Sequence, residues 1–151
     1  MERINFGTRV GTTVYNTGTI VRALSSQTFF ENGFDLTPEQ FLILDIIHDY
    51  GELYQRQICE ITLKDRSNVA RLIKILEDKE LIKRKQASNG RRIFKISVTE
   101  KGQEVRDTIK PTTKELRKIL INGVTQEEID ITLATLNKIY ENARPRVRLQ
   151  I

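Results

Sequence analysis

A mainly α-helical chain with a single β-hairpin, an α+β composition, is what this sequence predicts, and three observations predict it. Apolar residues recur at helical spacing along most of its length. Helix-start signals, Thr37-Pro38, Asp65, Thr99 and Thr125, stand ahead of four of those stretches. Only between Leu81 and Val98 does the period shorten to about 2, the alternation of a strand pair.

The first element runs from residue 10 to about 31. Val10, Val14, Val21 and Leu24, with Ile20 beside them, fall on one helical face. Local propensity points the other way, because "TTVYNTGTIV" is rich in β-branched residues and Asn-Thr-Gly can close a hairpin. Both readings stand, and the helix is the expectation. Next comes "DLTPEQFLILDIIHDYG", with Thr37 as N-cap, Pro38 pre-set for the first helical position and Gln40 completing a capping box. Phe41, Leu44 and Ile47, with Ile43 and Ile46, give it a broad apolar face, and Gly51 ends it. A short helix is expected from about Leu53 to Ile61, then a tight turn, then a helix from Arg66 to Lys79 capped by Asp65. Val69, Leu72, Ile73 and Leu76 form its inward face; Ser67, Asn68, Ala70, Arg71, Lys74 and Ile75 form the other.

"LIKRKQA", the tip "SNG" and "RRIFKISV" then read as a hairpin, with Asn89-Gly90 supplying positive φ at the turn. Thr99 opens a helix lined by Val105, Ile109, Leu116, Ile119 and Leu120, in which Pro111 removes one backbone hydrogen bond and is expected to kink the axis. Gly123 ends it. Thr125 and Glu128 form a capping box for a last helix bearing Ile129, Leu133, Leu136 and Tyr140, which Pro145 closes ahead of a basic tail, "RPRVRLQI".

At 151 residues the chain suits one domain with a real core. No run of about 18 or more uncharged apolar residues exists, so no membrane span is expected. "MERINFGTRVGTT" lacks the apolar core of a secretion signal, and the lone Cys59 cannot make an internal disulfide; both favour a cytoplasmic location. The charge is unevenly placed. Residues 1–63 hold four Lys/Arg against eight Asp/Glu, residues 64–95 hold eleven against four, and residues 96–151 hold ten against eight, so the excess of +5 comes from the middle block. A concentrated basic patch suits a polyanion partner, because neutralised phosphates release condensed counterions, although a merely solvated basic surface has the same composition.

Short helix, turn, capped helix and hairpin in that order make a winged helix-turn-helix with a two-stranded wing. A helix fits the major groove of duplex DNA with its first side chains nearest the base edges. Ser67 and Asn68 stand at that end, Arg71 lies one turn on, and Lys74 suits the phosphate backbone. Arg91 and Arg92 at the tip suit an adjacent minor groove. An enzyme is not expected. The chain has one His, one Cys and no Trp, with no nucleophile–base pair, metal set or cofactor signature, and "GTRVGTT" lacks the Gly-Lys-Ser/Thr end of a phosphate loop. His48, with no second ligand at metal spacing, reads as structural.

From "LTPEQF" (36–41) through "DRSNVARLIKILEDKELIKR" (65–84) to "RRIFKISVTEKG" (91–102), the chain resembles the MarR (multiple-antibiotic-resistance-regulator) family of bacterial transcription factors. The resemblance implies a homodimer built from N- and C-terminal dimerisation helices (1–35 and 99–151) around a DNA-binding lobe (36–98). It implies a pseudo-palindromic double-stranded DNA operator, repression, and release by a small-molecule effector or an oxidant. By that resemblance DNA contacts fall on Ser67, Asn68, Ala70 and Arg71 of the recognition helix and on Arg92 of the wing; Lys74, Asn89 and Arg91 join them as candidates from the residues alone. An effector pocket would involve Tyr15, Phe30, Phe41 and Leu44, residue types that are more often plain core.

Two departures from the family pattern stand out. Gly90 occupies the wing position of an aspartate, and "ITLKD" (61–65) replaces an apolar-Gly-apolar ending. Cys59 falls where the family packs a small alanine, so packing is the expected role over redox sensing; Arg56 is the cation near enough in sequence to lower its pKa. The other class left open is a winged-helix module for protein interaction or non-specific DNA binding.

Overall fold

Local chemistry explains each element of the computed structural model, which describes residues 6–86 and 94–148. The chain divides into two compact units, one ending at Pro38 and one beginning at Glu39. In the first, helix α1 (Phe6–Glu31) settles the competition between helix and hairpin in favour of helix. Three of its hydroxyl side chains bond within the helix: Thr19, Ser25 and Thr28 donate to the carbonyls four residues back, at 2.8–2.9 Å. Gly33, at φ +66, lets the chain turn out of the helix. Phe34 N then donates to Phe29 O (3.1 Å), and the two rings meet edge-to-face at 5.3 Å.

The second unit holds α2 (Pro38–Tyr50), β1 (Leu53–Tyr54), α3 (Gln55–Thr62), α4 (Arg66–Asp78), β2 (Ile82–Gln86), β3 (Phe94–Val98), α5 (Glu100–Leu120) and α6 (Gln126–Ala143), with a 3-10 turn at Arg144–Arg146. Its core is the apolar set expected of α2 and α4: Phe41, Ile43, Leu44 and Ile47, then Val69, Leu72, Ile73 and Leu76, joined by Ile58, Cys59, Leu81, Ile82, Ile96 and Ile109.

One boundary differs from expectation. Leu53 and Tyr54 do not begin α3 but form a third strand, pairing with Ile96 and Lys95 in a sheet of order β1-β3-β2. Two residues are too short a run to show alternation, so the pairing depends wholly on a partner far along the chain. The two wing strands pair antiparallel from Ile82↔Val98 to Gln86↔Phe94; the turn expected at Asn89-Gly90 lies outside the described residues.

Helix α5 continues across Pro111 to Leu120, and α6 ends at Ala143, immediately before the Pro145 turn. Both caps are as read: Thr99 Oγ1 accepts from Gly102 N at 3.0 Å, and Thr125 and Glu128 form a reciprocal box, with Thr125 N donating to Glu128 Oε2 at 2.8 Å. That backbone hydrogen bond, and then the Thr125 hydroxyl, hold the Glu128 carboxyl below its ordinary range. No helix among the described residues is long and apolar enough to cross a membrane.

Candidate nucleic-acid interface

Helix α4 is fixed at both ends by turns that use no glycine. Ahead of it, Leu63 takes the left-handed conformation (φ 54). This is how "ITLKD" makes its turn without the glycine of the family pattern. Lys64 Nζ bonds Glu39 Oε1 (2.6 Å), tying that turn to α2, and Asp65 Oδ1 accepts from Asn68 N (2.8 Å) as the N-cap. Behind the helix, Glu80 is also left-handed (φ 61). Glu80 N donates to Glu77 O and Leu81 N to Leu76 O, at 2.8 and 2.9 Å, the paired bonds of a Schellman ending.

So held, α4 turns four apolar residues inward and a polar face outward. Ser67, Arg71 and Lys74 are exposed, while Asn68 and Ala70 are half-buried. Arg71 Nη2 donates to Asn68 Oδ1 (3.1 Å), so the amide steadies the guanidinium one turn along. Lys74 is bonded to Asp78 on the same helix, which offsets its charge. The structure thus brings Ser67, Asn68, Ala70, Arg71 and Lys74 onto one helix. Asn89, Arg91 and Arg92 lie outside the described residues.

The wing strands supply charges that the residue-by-residue reading did not single out. Lys83 and Lys85 of β2 share one face of the sheet with Lys95 of β3, and Arg84 takes the other. The run "KRK" at strand period was the available signal. Lys95 Nζ bonds Glu52 Oε2 at 3.0 Å; that bond lowers the carboxyl's pKa and raises the ammonium's. Arg84 Nε reaches Glu77 Oε2 at 3.0 Å, joining the wing to α4.

A second feature also went unread. Arg106 of α5 is buried, with Nε 2.7 Å from Asp45 Oδ1 and Nη2 2.9 Å from Asp49 Oδ1, both on α2. Its place on the buried stripe Gly102, Arg106, Ile109, Leu116 was the sequence signal. His48 Nδ1 sits 3.0 Å from the same Asp49 oxygen. The His48 hydrogen bond first, and the Arg106 charge after it, keep the Asp49 carboxyl below its usual range. His48 is therefore part of a structural charge cluster, and no group of His, Cys, Asp and Glu among the described residues could hold a metal ion.

Gly102 has a steric reason to be glycine. A Cβ there would lie 2.0 Å from the Leu81 carbonyl oxygen, so the first turn of α5 closes on the start of β2 only without a side chain.

The four residues expected at an effector pocket divide by burial. Phe41 and Leu44 are buried core, whereas Tyr15 and Phe30 are 70% and 86% exposed on α1. None of the four lines the cleft of about 840 Å³ between α3 and the wing strands, which Tyr54, Cys59, Arg66, Arg84 and Phe94 help to line. Cys59 is buried and burial pushes its thiol pKa up, with Arg66 the cation acting against that. Arg56 is bonded instead to Glu60 at 2.8 Å. Such a thiol packs as a small apolar group.

Comparison with known proteins places this geometry. A family model described as "MarR family" matches residues 34–93. The uncharacterized HTH-type transcriptional regulator YybA of Bacillus subtilis (strain 168) is 31% identical over 126 residues, 83% of this chain and 84% of that protein. MhqR, an HTH-type transcriptional regulator of the same organism, is 27% identical over 109 residues, 72% of this chain and 75% of its own. Among solved structures, a protein of Listeria monocytogenes assigned to the MarR transcriptional regulators and complexed with 26mer DNA superposes with a TM-score of 0.77 at 26% identity, covering 95% of this chain and 90% of that one.

Proposed function

Because the chain belongs to the MarR family of transcriptional regulators, we propose that it is a cytoplasmic repressor that binds a pseudo-palindromic operator as a homodimer. Residues 36–98 form the reading lobe, and 1–35 and 99–151 supply the dimerisation helices. Ser67, Asn68, Ala70 and Arg71 enter the major groove, Lys74 meets the backbone, and Asn89, Arg91 and Arg92 reach the neighbouring groove. A small-molecule effector then releases the DNA.

The observation that carries this reading is α4: its outward face is polar and cationic, and its angle is fixed by caps and turns rather than left to the ligand. Basic side chains on β2 continue the positive surface beside it. The Listeria relative, crystallised with 26mer DNA, supports the partner class. The dimer is supported by α6, whose 18 residues include no buried one although Ile131, Leu133, Leu136, Ile139 and Tyr140 are large and apolar. An apolar stripe of that length belongs against another surface, and an isologous contact between two copies covers it symmetrically.

The test is equilibrium binding to duplex DNA from upstream of the protein's own gene and to random duplex, across a salt series. Specific binding about a thousandfold or more tighter than random is expected, with both affinities falling as salt rises. Equal affinities at every salt concentration would mean a non-specific or protein-binding module instead.

A further inference from the structure

We infer that Arg106 is a positioning residue: its two ion pairs to α2 fix the direction in which α5 leaves the reading lobe, and through it the half-site spacing a dimer can read. Burial gives the first reason. Arg106 is 3% exposed, the one polar or charged residue in the core among those described, whereas every other charged residue of α5 is exposed. Taking a guanidinium out of water is costly, and the pairing that offsets the cost adds little net stability, since apolar residues of similar volume do as well or better. What an apolar contact does not supply is direction.

Geometry gives the second reason. Nε reaches Asp45 Oδ1 at 2.7 Å and Nη2 reaches Asp49 Oδ1 at 2.9 Å. The two carboxylates stand about one turn apart on α2, so the planar fork sets both the height of α5 along α2 and its rotation. His48 Nδ1, 3.0 Å from the same Asp49 oxygen, steadies the outer partner.

Place gives the third. One turn before Arg106, Gly102 closes on the Leu81 carbonyl; just after it, Ile109 is 2% exposed. Then comes Pro111, which leaves one helical hydrogen bond unmade, and beyond it Leu116 alone is buried in α5. Residues 106–109 are thus the last closely held turn. From Arg106 to Leu120 the helix runs about 21 Å at about 1.5 Å per residue. A swing of about 10° at Arg106 moves its far end by about 4 Å, close to one base-pair step of about 3.4 Å. The consequence for spacing rests on the dimeric, DNA-binding reading above; the clamp itself does not.

The test of the clamp is a distance within one chain, measured by double electron–electron resonance on the full-length protein diluted with unlabelled protein. Spin labels go on Ser67→Cys and Lys118→Cys, both exposed, while the buried Cys59 stays unlabelled. The parent should give one narrow distance. Arg106→Met with Asp45→Leu removes the buried pair together and strands no charge in the core, so circular dichroism should show it folded. Its distance should broaden, or shift by about 4 Å or more. Arg106→Lys, which keeps the charge without the fork, should move the distance in the same direction by less. If the double variant does not fold, Asp49→Ala, at a side chain 56% exposed, makes the same measurement. A folded variant that keeps the parent distance overturns the clamp, as a merely stabilising pair would require. Duplexes with the operator half-sites at native separation, and one base pair closer or farther, test the consequence. The parent should favour native separation about tenfold or more, and the clamp variants about threefold or less. A variant whose distance moves while its spacing preference matches the parent's overturns the spacing role. If no specific DNA binding is found while the distance responds as expected, the DNA reading fails and the clamp stands.

Discussion

Helices α4 and α6 are built from the same local instructions and end in opposite conditions. Both begin at a side-chain cap, Asp65 or Thr125, and both carry apolar residues at helical spacing. In α4 the apolar residues Val69, Leu72, Ile73 and Leu76 are all buried, and the remainder is polar or charged apart from Ala70 and Ile75, which are half-buried. In α6 no residue is buried, and Leu133 and Ile131 are 55% and 59% exposed. Capping chemistry therefore specifies where a helix begins, while the destination of its apolar face depends on what the rest of the chain supplies. For α4 the chain supplies α3, β2 and the core beneath them. For α6, in the proposed dimer, a second copy supplies it.

That contrast can be broken most forcefully at α6. Leu133→Asp with Leu136→Asp removes two apolar anchors from each copy of a symmetric interface. At about 1.5–3 kcal/mol for fully burying a leucine, and with only about half of each of the four left to bury, association should weaken by about 3–6 kcal/mol. Sedimentation should show a monomer at micromolar concentration; an unchanged dimer would place the interface elsewhere. The complementary lesion is Gly102→Ala, beside the wing base. Its Cβ meets the Leu81 carbonyl oxygen, a backbone atom that cannot move aside alone. A loss of about 3–4 kcal/mol is expected in denaturant unfolding, and a variant as stable as the parent would mean that α5 shifts freely against β2.

The same contrast explains how much could be read from residues alone. Caps, apolar stripes and the strand period are local, and they located α2, α4, the wing strands, α5 and α6. The contribution of Leu53–Tyr54 to the sheet was illegible because its partner lies on β3, more than forty residues on. Arg106 was passed over because a charge on a helix is normally solvated, and only its position on the stripe of Gly102 and Ile109 marks it as buried. The exposed polar face of α4 was legible from spacing. The difference in burial between Tyr15 and Phe41 was not, since both are aromatic residues in helices. The cleft beside Phe94 was invisible for a related reason: a strand residue on the inward register is ordinarily core.

A smaller effect sharpens the functional side of α4. Arg71→Ala removes an exposed guanidinium held by Asn68, so the fold should be unaffected. If Arg71 reads a base, discrimination between operator and random duplex should fall by about 1–3 kcal/mol. A uniform loss on both duplexes would instead make it a phosphate contact.

The smallest effect concerns how α4 is brought to its end. Glu80 holds φ 61 without being glycine, a conformation costing about 1–2 kcal/mol for a residue with a Cβ. Glu80→Gly relieves that cost but adds about 0.5–1 kcal/mol of unfolded-chain entropy. It also loses the exposed Lys101–Glu80 pair at 3.0 Å, whose contribution is small. A net gain of about 0.5 kcal/mol is expected. Glu80→Ala loses the same pair and keeps the strain, so the two variants should differ by about 1 kcal/mol in unfolding free energy, with Gly the more stable. Equal stability would put the strain no higher than that entropy cost, and a Gly variant less stable than Ala by about 0.5–1 kcal/mol would mean that the turn after α4 stores no strain and that its Schellman hydrogen bonds alone set the angle from α4 to the wing.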